Sequence, residues 1–143
     1  MELYKDLKGY DFADLFIGMK AVVSRTITET DLRNFSGVSG DTNPMHLSEE
    51  FAAHTPFKRC IVHGMLTASL ISTLVGTKLP GPGCIYVSQT LKFTAPVYVG
   101  DTVYAVATVK ELMPDRKRVV MDTTCYVKDV IVVEGEAVVK VPS

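Results

Sequence analysis

Between residues 39 and 46 the chain reads Ser39-Gly40-Asp41-Thr42-Asn43-Pro44-Met45-His46, which sets a carboxylate, an amide and an imidazole within six residues of one loop. Eighteen residues after His46 comes Gly64, in Ile61-Val62-His63-Gly64-Met65, where an apolar stretch begins. These groups suit the movement of protons beside a carbonyl. An aspartate and a histidine facing one pocket can share a water, one taking a proton while the other gives one. A glycine N–H at a helix N-terminus can meet the oxyanion that forms on the carbonyl as this happens. The run is also good turn chemistry: Gly40 accepts positive φ, Asp41 and Asn43 bond to nearby backbone, and Pro44 pushes Asn43 out of the helical region. Turn formation alone would explain these residue types, so the chemical reading depends on what surrounds them.

The elements that must hold these groups are legible on either side. After a lead-in over residues 1–18, Gly18 turns the chain into a strand over residues 20–25. Thr28-Glu29-Thr30-Asp31 resembles the capped start of a short helix that sets Leu32 and Phe35 on one face and ends in Ser36-Gly37-Val38-Ser39-Gly40, so the Asp41 loop is a helix exit. Ser48-Glu49-Glu50-Phe51 starts a second short helix, with two acids at the positive end of its dipole. From Gly64 to about Lys78, apolar residues recur at three- and four-residue steps until Leu79-Pro80-Gly81-Pro82-Gly83 breaks the pattern. Long β-branched runs follow at 85–93, 102–112, 118–127 and 130–141, with Gly100-Asp101, residues 113–117 and Lys128-Asp129 as turns. The order predicts an α+β arrangement of one long central helix in a curled antiparallel sheet. One helix covers one sheet face, so the other face calls for a partner, and a homodimer or a higher even-numbered oligomer is expected.

Composition narrows the function classes. At 143 residues the chain is expected to form a single domain over 1–143. A formal net charge of −1 with no dense Lys/Arg stripe argues against nucleic acid as a partner. The charged N-terminus does not read as a signal peptide, and the apolar stretch over 60–76 is short and interrupted by His63, Thr67, Ser69, Ser72 and Thr73, so no membrane is expected. Cys60, Cys84 and Cys125 are odd in number and scattered, which suits reduced thiols in the cytoplasm, and none has metal-ligand spacing to another Cys or His.

With these motifs in place, the chain resembles the MaoC-type family of (R)-specific enoyl-CoA hydratases, which have the hot-dog fold. The resemblance rests on residues 35–46 with Ala52 following, on Ile61-Val62-His63-Gly64-Met65-Leu66, Leu79-Pro80-Gly81, residues 93–101 and Gly135-Glu136-Ala137, and it runs from about Gly18 onward. It implies addition of water to the double bond of a trans-2-enoyl thioester of coenzyme A, giving the (R)-3-hydroxyacyl-CoA. It implies that Asp41 and His46 form the catalytic pair, that Asn43 helps fix the water, and that Gly64 donates to the thioester oxygen. Ser72, on the central helix, matches a residue near the acyl pocket, and the side chains around Ser72, Val75 and Val138 set chain length. Their medium size weakly favours short acyl chains. No cofactor and no metal are expected, coenzyme A entering only as part of the substrate.

Two readings stay open for His63, a substrate-pocket residue or a buried structural one, whereas His54 reads as surface. Lys58, Arg59 and Lys92 could meet coenzyme phosphates, yet scattered cations usually serve solubility alone. The first ten residues have no functional reading. The rival functions are dehydration of 3-hydroxyacyl groups on acyl carrier protein, where the reactive end of the substrate is the same, and a non-catalytic acyl-thioester-binding module, which would not need Asp41 and His46 together. A thioesterase is disfavoured by the position of the pair ahead of the central helix.

Overall fold

Alternation in the last three strands builds the floor on which the site stands. The computed structural model describes residues 2–143, with β1 (Lys20–Thr26), α1 (Glu29–Ser39), α2 (Pro44–Leu47), α3 (Glu49–Ala53), α4 (Gly64–Thr77), β2 (Ile85–Gln89), β3 (Lys92–Phe93), β4 (Thr102–Met113), β5 (Arg118–Val127) and β6 (Val130–Lys140). In β4, Val103, Ala105, Ala107 and Val109 are all buried, the period of two that a strand imposes. They continue across the sheet as Val109–Met121–Ala137 and Ala105–Cys125–Val133. The small Ala105, Ala107 and Ala137 let α4 approach closely, and Leu70, Ile71, Leu74 and Val75 of that helix bury themselves against the sheet. The antiparallel sheet runs β1-β4-β5-β6-β2, with β3 also on β6, which is the arrangement of long helix and unclosed sheet that the hot-dog resemblance implies. No helix among the described residues is long and apolar enough to cross a membrane.

The argument for a partner from the bare sheet face needs correction. That face is polar where β4, β5 and β6 meet: Thr108, Asp122 and Glu136 lie side by side, and Lys110 bonds to Glu136 at 3.0 Å and sits 4.0 Å from Asp122. Such a ladder is stable in water. Exposed apolar side chains lie towards the two ends of the sheet order instead, Val22 on β1 and Tyr104 on β4 at one and Ile85, Tyr86 and Val87 on β2 at the other.

The run expected as one strand over 85–93 is broken in two. At Thr90 the chain crosses β6 so closely that a Cβ on Gly135 would lie 1.8 Å from the Thr90 carbonyl oxygen. Thr90 N–H donates to Glu136 O, and Glu136 N–H donates to Thr90 Oγ1, both at 2.9 Å, so the crossing is bonded backbone with no room to yield. Beyond the crossing, the exposed β3 carries Phe93 to the start of α4, where its ring lies against the face of Gly64. Gly135→Ala should therefore lower stability by about 1–3 kcal/mol or more, the range for overpacking a filled site. A melting curve checks this, and an unchanged midpoint would show that the crossing yields.

The lead-in is pinned rather than loose. Gly9 N–H donates to Pro82 O and Tyr10 N–H to Pro80 O, both at 2.9 Å, so it is tied to the loop that follows α4. At the other end of β1, Thr28 caps α1 as expected, in a reciprocal box with Asp31. Arg25 grips Asp31 with two nitrogens, at 3.1 and 2.5 Å, and this holds the Asp31 carboxyl at about 2. The strand, and through it the sheet, thus anchors the start of the helix that leads into the Asp41 loop.

Candidate active site

The loop after α1 is shaped by its own side chains. Gly40 takes the left-handed conformation that ends α1, at φ 77°. Ser39 Oγ accepts from Asp41 N–H at 3.1 Å, and Asp41 Oδ1 accepts from Asn43 N–H at 3.3 Å. Asn43 then caps α2, its Oδ1 accepting from Met45 N–H at 3.1 Å, and Pro44 occupies the first helical turn. The α2 turn carries His46 inward to 8% exposure while Asp41 stays at the surface of the loop.

Both histidines have defined tautomers. His46 Nδ1 is 2.8 Å from the Ile61 carbonyl, which can only accept, so Nδ1 holds the proton and Nε2 of the neutral ring keeps a lone pair. His63 Nε2 is 3.1 Å from the Asp41 carbonyl and 3.1 Å from Ser36 Oγ, so its proton is on Nε2 and its lone pair on Nδ1. Burial pushes the His63 pKa down, which keeps this ring neutral, and it is 1% exposed. The two imidazoles stack with centroids 4.0 Å apart. His63 thus joins both readings offered by the sequence: it is buried and hydrogen-bonded, and it also lines the cavity beside the pair. Although it precedes α4, its side chain does not cap that helix, reaching across to the Asp41 loop instead.

One carboxylate oxygen of Asp41 and one ring nitrogen each from His46 and His63 fall within 4.8 Å of one another. One water can bridge such a span, with the Asp41 carboxylate and His46 Nε2 free to receive its protons. A metal ion would find the same three side chains, the one such cluster among the described residues. The cysteines offer no nucleophile: burial pushes Cys60 up to about 11 and Cys125 up to about 12, so both stay as thiols.

Beside this cluster opens a cavity of about 470 Å³. Asp41, His63 and Gly64 lie at its polar end, and Phe57, Phe93, Val132 and Val133 contribute apolar wall. Gly64 begins α4, so its N–H has no acceptor within the helix and stands at the positive end of the dipole. The structure therefore brings Asp41, His63 and Gly64 together at this cavity, while His46, stacked on His63 and within 4.8 Å of the Asp41 carboxylate, lines a separate smaller cleft with Cys60 and Val99, and Asn43 shapes the loop through its backbone bonds. It does not bring Ser72 or Val75 to this cavity: Ser72 is on an exposed side of α4 and Val75 is 1% exposed within the core. Ser36 and Phe93 are additions. Nothing in residue type marks a helical serine as the anchor of a histidine 27 residues away, or Phe93 as the cover of Gly64.

Residues 17–133 match the MaoC like domain. The "(R)-specific enoyl-CoA hydratase" of Rhodospirillum rubrum is 51% identical over 138 residues, covering 96% of each chain. The "3-hydroxybutyryl-CoA dehydratase" of Methylorubrum extorquens is 49% identical over 137 residues, covering 96% of this chain and 87% of the relative. Among solved structures, the (R)-hydratase from A. caviae involved in PHA biosynthesis superposes with a TM-score of 0.87 at 45% identity, covering 90% of this chain and 98% of that one. Shared identity over nearly full lengths, a shared sheet and helix, and the Asp41 loop set against the start of α4 lead to one assignment: the chain belongs to the MaoC-like domain family.

Proposed function

We propose that the protein is an (R)-specific enoyl-CoA hydratase, adding water reversibly to trans-2-enoyl-CoA to give (R)-3-hydroxyacyl-CoA. The observation that carries this reading is the cluster of Asp41, His46 and His63, of which Asp41 and His63 line a largely apolar cavity that also contains the bare start of α4. The Asp41 carboxylate and His46 Nε2 hold one water between them. As its oxygen bonds to C3, a proton leaves it for the pair and the double-bond electrons move towards the thioester oxygen, where Gly64 N–H meets the developing charge. The pair returns that proton at C2, so the elements of water are added and nothing else is consumed. His63 acts as a positioning residue: its bond to the Asp41 carbonyl and its stack on His46 hold the two groups in register. Because the water is held at the end of the cavity that Asp41 lines, it reaches one face of the alkene and one enantiomer results. The names of the relatives support the (R) form and coenzyme A as carrier, and a cavity of about 470 Å³ suits the thioester head with a short chain.

In this reading the protein works as a dimer or a higher even-numbered oligomer. Support comes from β2, an edge strand whose apolar side chains are exposed and which is bonded along one side only. Three free cysteines suit a cytoplasmic setting. A panel of short, medium and long trans-2-enoyl-CoA substrates, followed by loss of the conjugated thioester absorbance, tests the activity. Crotonyl-CoA is expected to turn over fastest, and faster than the same acyl group on acyl carrier protein. Turnover confined to the carrier-protein substrate would instead assign the dehydratase.

A further inference from the structure

Resting on that hydratase reading, we propose that the Thr67 hydroxyl is a second donor to the thioester oxygen, working beside the Gly64 N–H. Thr67 is 1% exposed, lines the cavity, and its Oγ1 has no hydrogen-bond partner although the atom itself is fully buried. A buried hydroxyl without a partner is unusual enough to need a reason.

The helix explains why the hydroxyl is free. Ser69, Thr73 and Thr77, also on α4, donate to carbonyls three or four residues back. For Thr67 the corresponding acceptor four residues back is the His63 carbonyl, and that oxygen already accepts from Leu66 N–H at 3.0 Å and Thr67 N–H at 3.2 Å. That oxygen's two lone pairs are taken, and the Thr67 hydroxyl makes no bond to it or to any other acceptor.

Its direction follows from helix geometry. Side chains on a helix lean towards its N-terminus, and residues three apart share a stripe, so Thr67 covers the turn that begins at Gly64. A thioester oxygen approaching the Gly64 N–H therefore comes within the region that the Thr67 side chain overlies.

Elimination among the cavity's polar side chains points the same way. Thr94 Oγ1 is spent on the Ile131 carbonyl at 2.7 Å. His63 donates through Nε2 to the Asp41 loop, and its other buried nitrogen, Nδ1, is also unpartnered but carries a lone pair, so it cannot donate to an oxyanion. Among the lining residues Thr67 alone has an uncommitted side-chain proton to give.

The test is steady-state hydration of crotonyl-CoA by Thr67→Val, which keeps the shape and removes the hydroxyl, and by Thr67→Ser, which keeps the hydroxyl. A donor that strengthens as charge builds on the oxygen acts on kcat more than on KM. The expected result is a folded T67V protein with kcat reduced about a hundredfold, the lower end for one lost oxyanion donor, little change in KM, and T67S within about tenfold of the parent. Should T67V fail to fold, T67A carries the same comparison with serine. The proposal is overturned if the hydroxyl-free variant keeps kcat within about threefold, if activity falls only with the folded fraction, or if T67S falls as far as T67V. A parent that does not hydrate crotonyl-CoA overturns the reaction assignment and this role with it, whereas an active parent with an equally active T67V overturns this role alone.

Discussion

Asp41→Asn and His46→Gln are each expected to reduce crotonyl-CoA hydration by about a hundredfold or more while leaving the melting temperature within a few degrees of the parent. The activity loss follows from the proton chemistry, since a positioned acid or base contributes roughly a hundred- to ten-thousand-fold. The preserved fold follows from where the bonds lie. Asp41 holds the loop through Oδ1, which an asparagine oxygen can replace, and its backbone carbonyl, not its side chain, receives His63. His46 is tied down by a single Nδ1 donation to Ile61, which the glutamine amide can approximate. Rates and thermal melts on the same preparations separate the two effects. A near-parental rate in either variant would remove that residue from the mechanism.

Gly64→Val is the second large effect, and the structure sharpens what it tests. A Cβ at position 64 would lie 2.7 Å from both Cδ1 and Cε1 of Phe93, so the glycine serves as a packing point as well as a donor. Phe93 is half-exposed, and its ring can swing aside, which limits the stability loss. The displaced ring and the valine methyls would both crowd the approach to the Gly64 N–H. We expect hydration to fall by about a hundredfold or more, the scale of a lost oxyanion donor, with a much smaller change in folded fraction. The pair Gly64→Val and Gly64→Val/Phe93→Ala distinguishes the causes. If ring displacement alone blocks the substrate, removing the ring restores turnover; if the methyls close the donor, the double variant stays inactive. A folded, active Gly64→Val removes the oxyanion role.

Local chemistry made much of this arrangement readable from the sequence. Thr28 and Asp31 announced the start of α1, Gly40 its end, and Leu79-Pro80-Gly81 the end of α4, because caps and breakers act through immediate neighbours. The Asp41 loop was readable for the same reason. The α2 turn was not, since four residues are too few to show a period, although Asn43-Pro44 is what starts it. The break in 85–93 depends on a glycine 45 residues away from Thr90, and β propensity in the broken segment hides it. Ser72 and Val75 show the limit of periodicity. A helix as apolar as α4 has no clear polar stripe, so which side faces the cavity depends on how the sheet and the Asp41 loop pack on it. The polar outer face of the sheet was present as alternation, with Asp122 and Thr124 on β5 set between buried neighbours and Glu134 and Glu136 on β6 flanking Gly135, and it removes one ground for a partner while β2 supplies another.

The central claim is that this site delivers water to one face of an enoyl-CoA. The most direct measurement is the configuration at C3 of the product formed from crotonyl-CoA by the purified protein, read with enantiomer-specific 3-hydroxyacyl-CoA dehydrogenases. The account predicts (R)-3-hydroxybutyryl-CoA alone; the (S) product, a racemate or no hydration would contradict it.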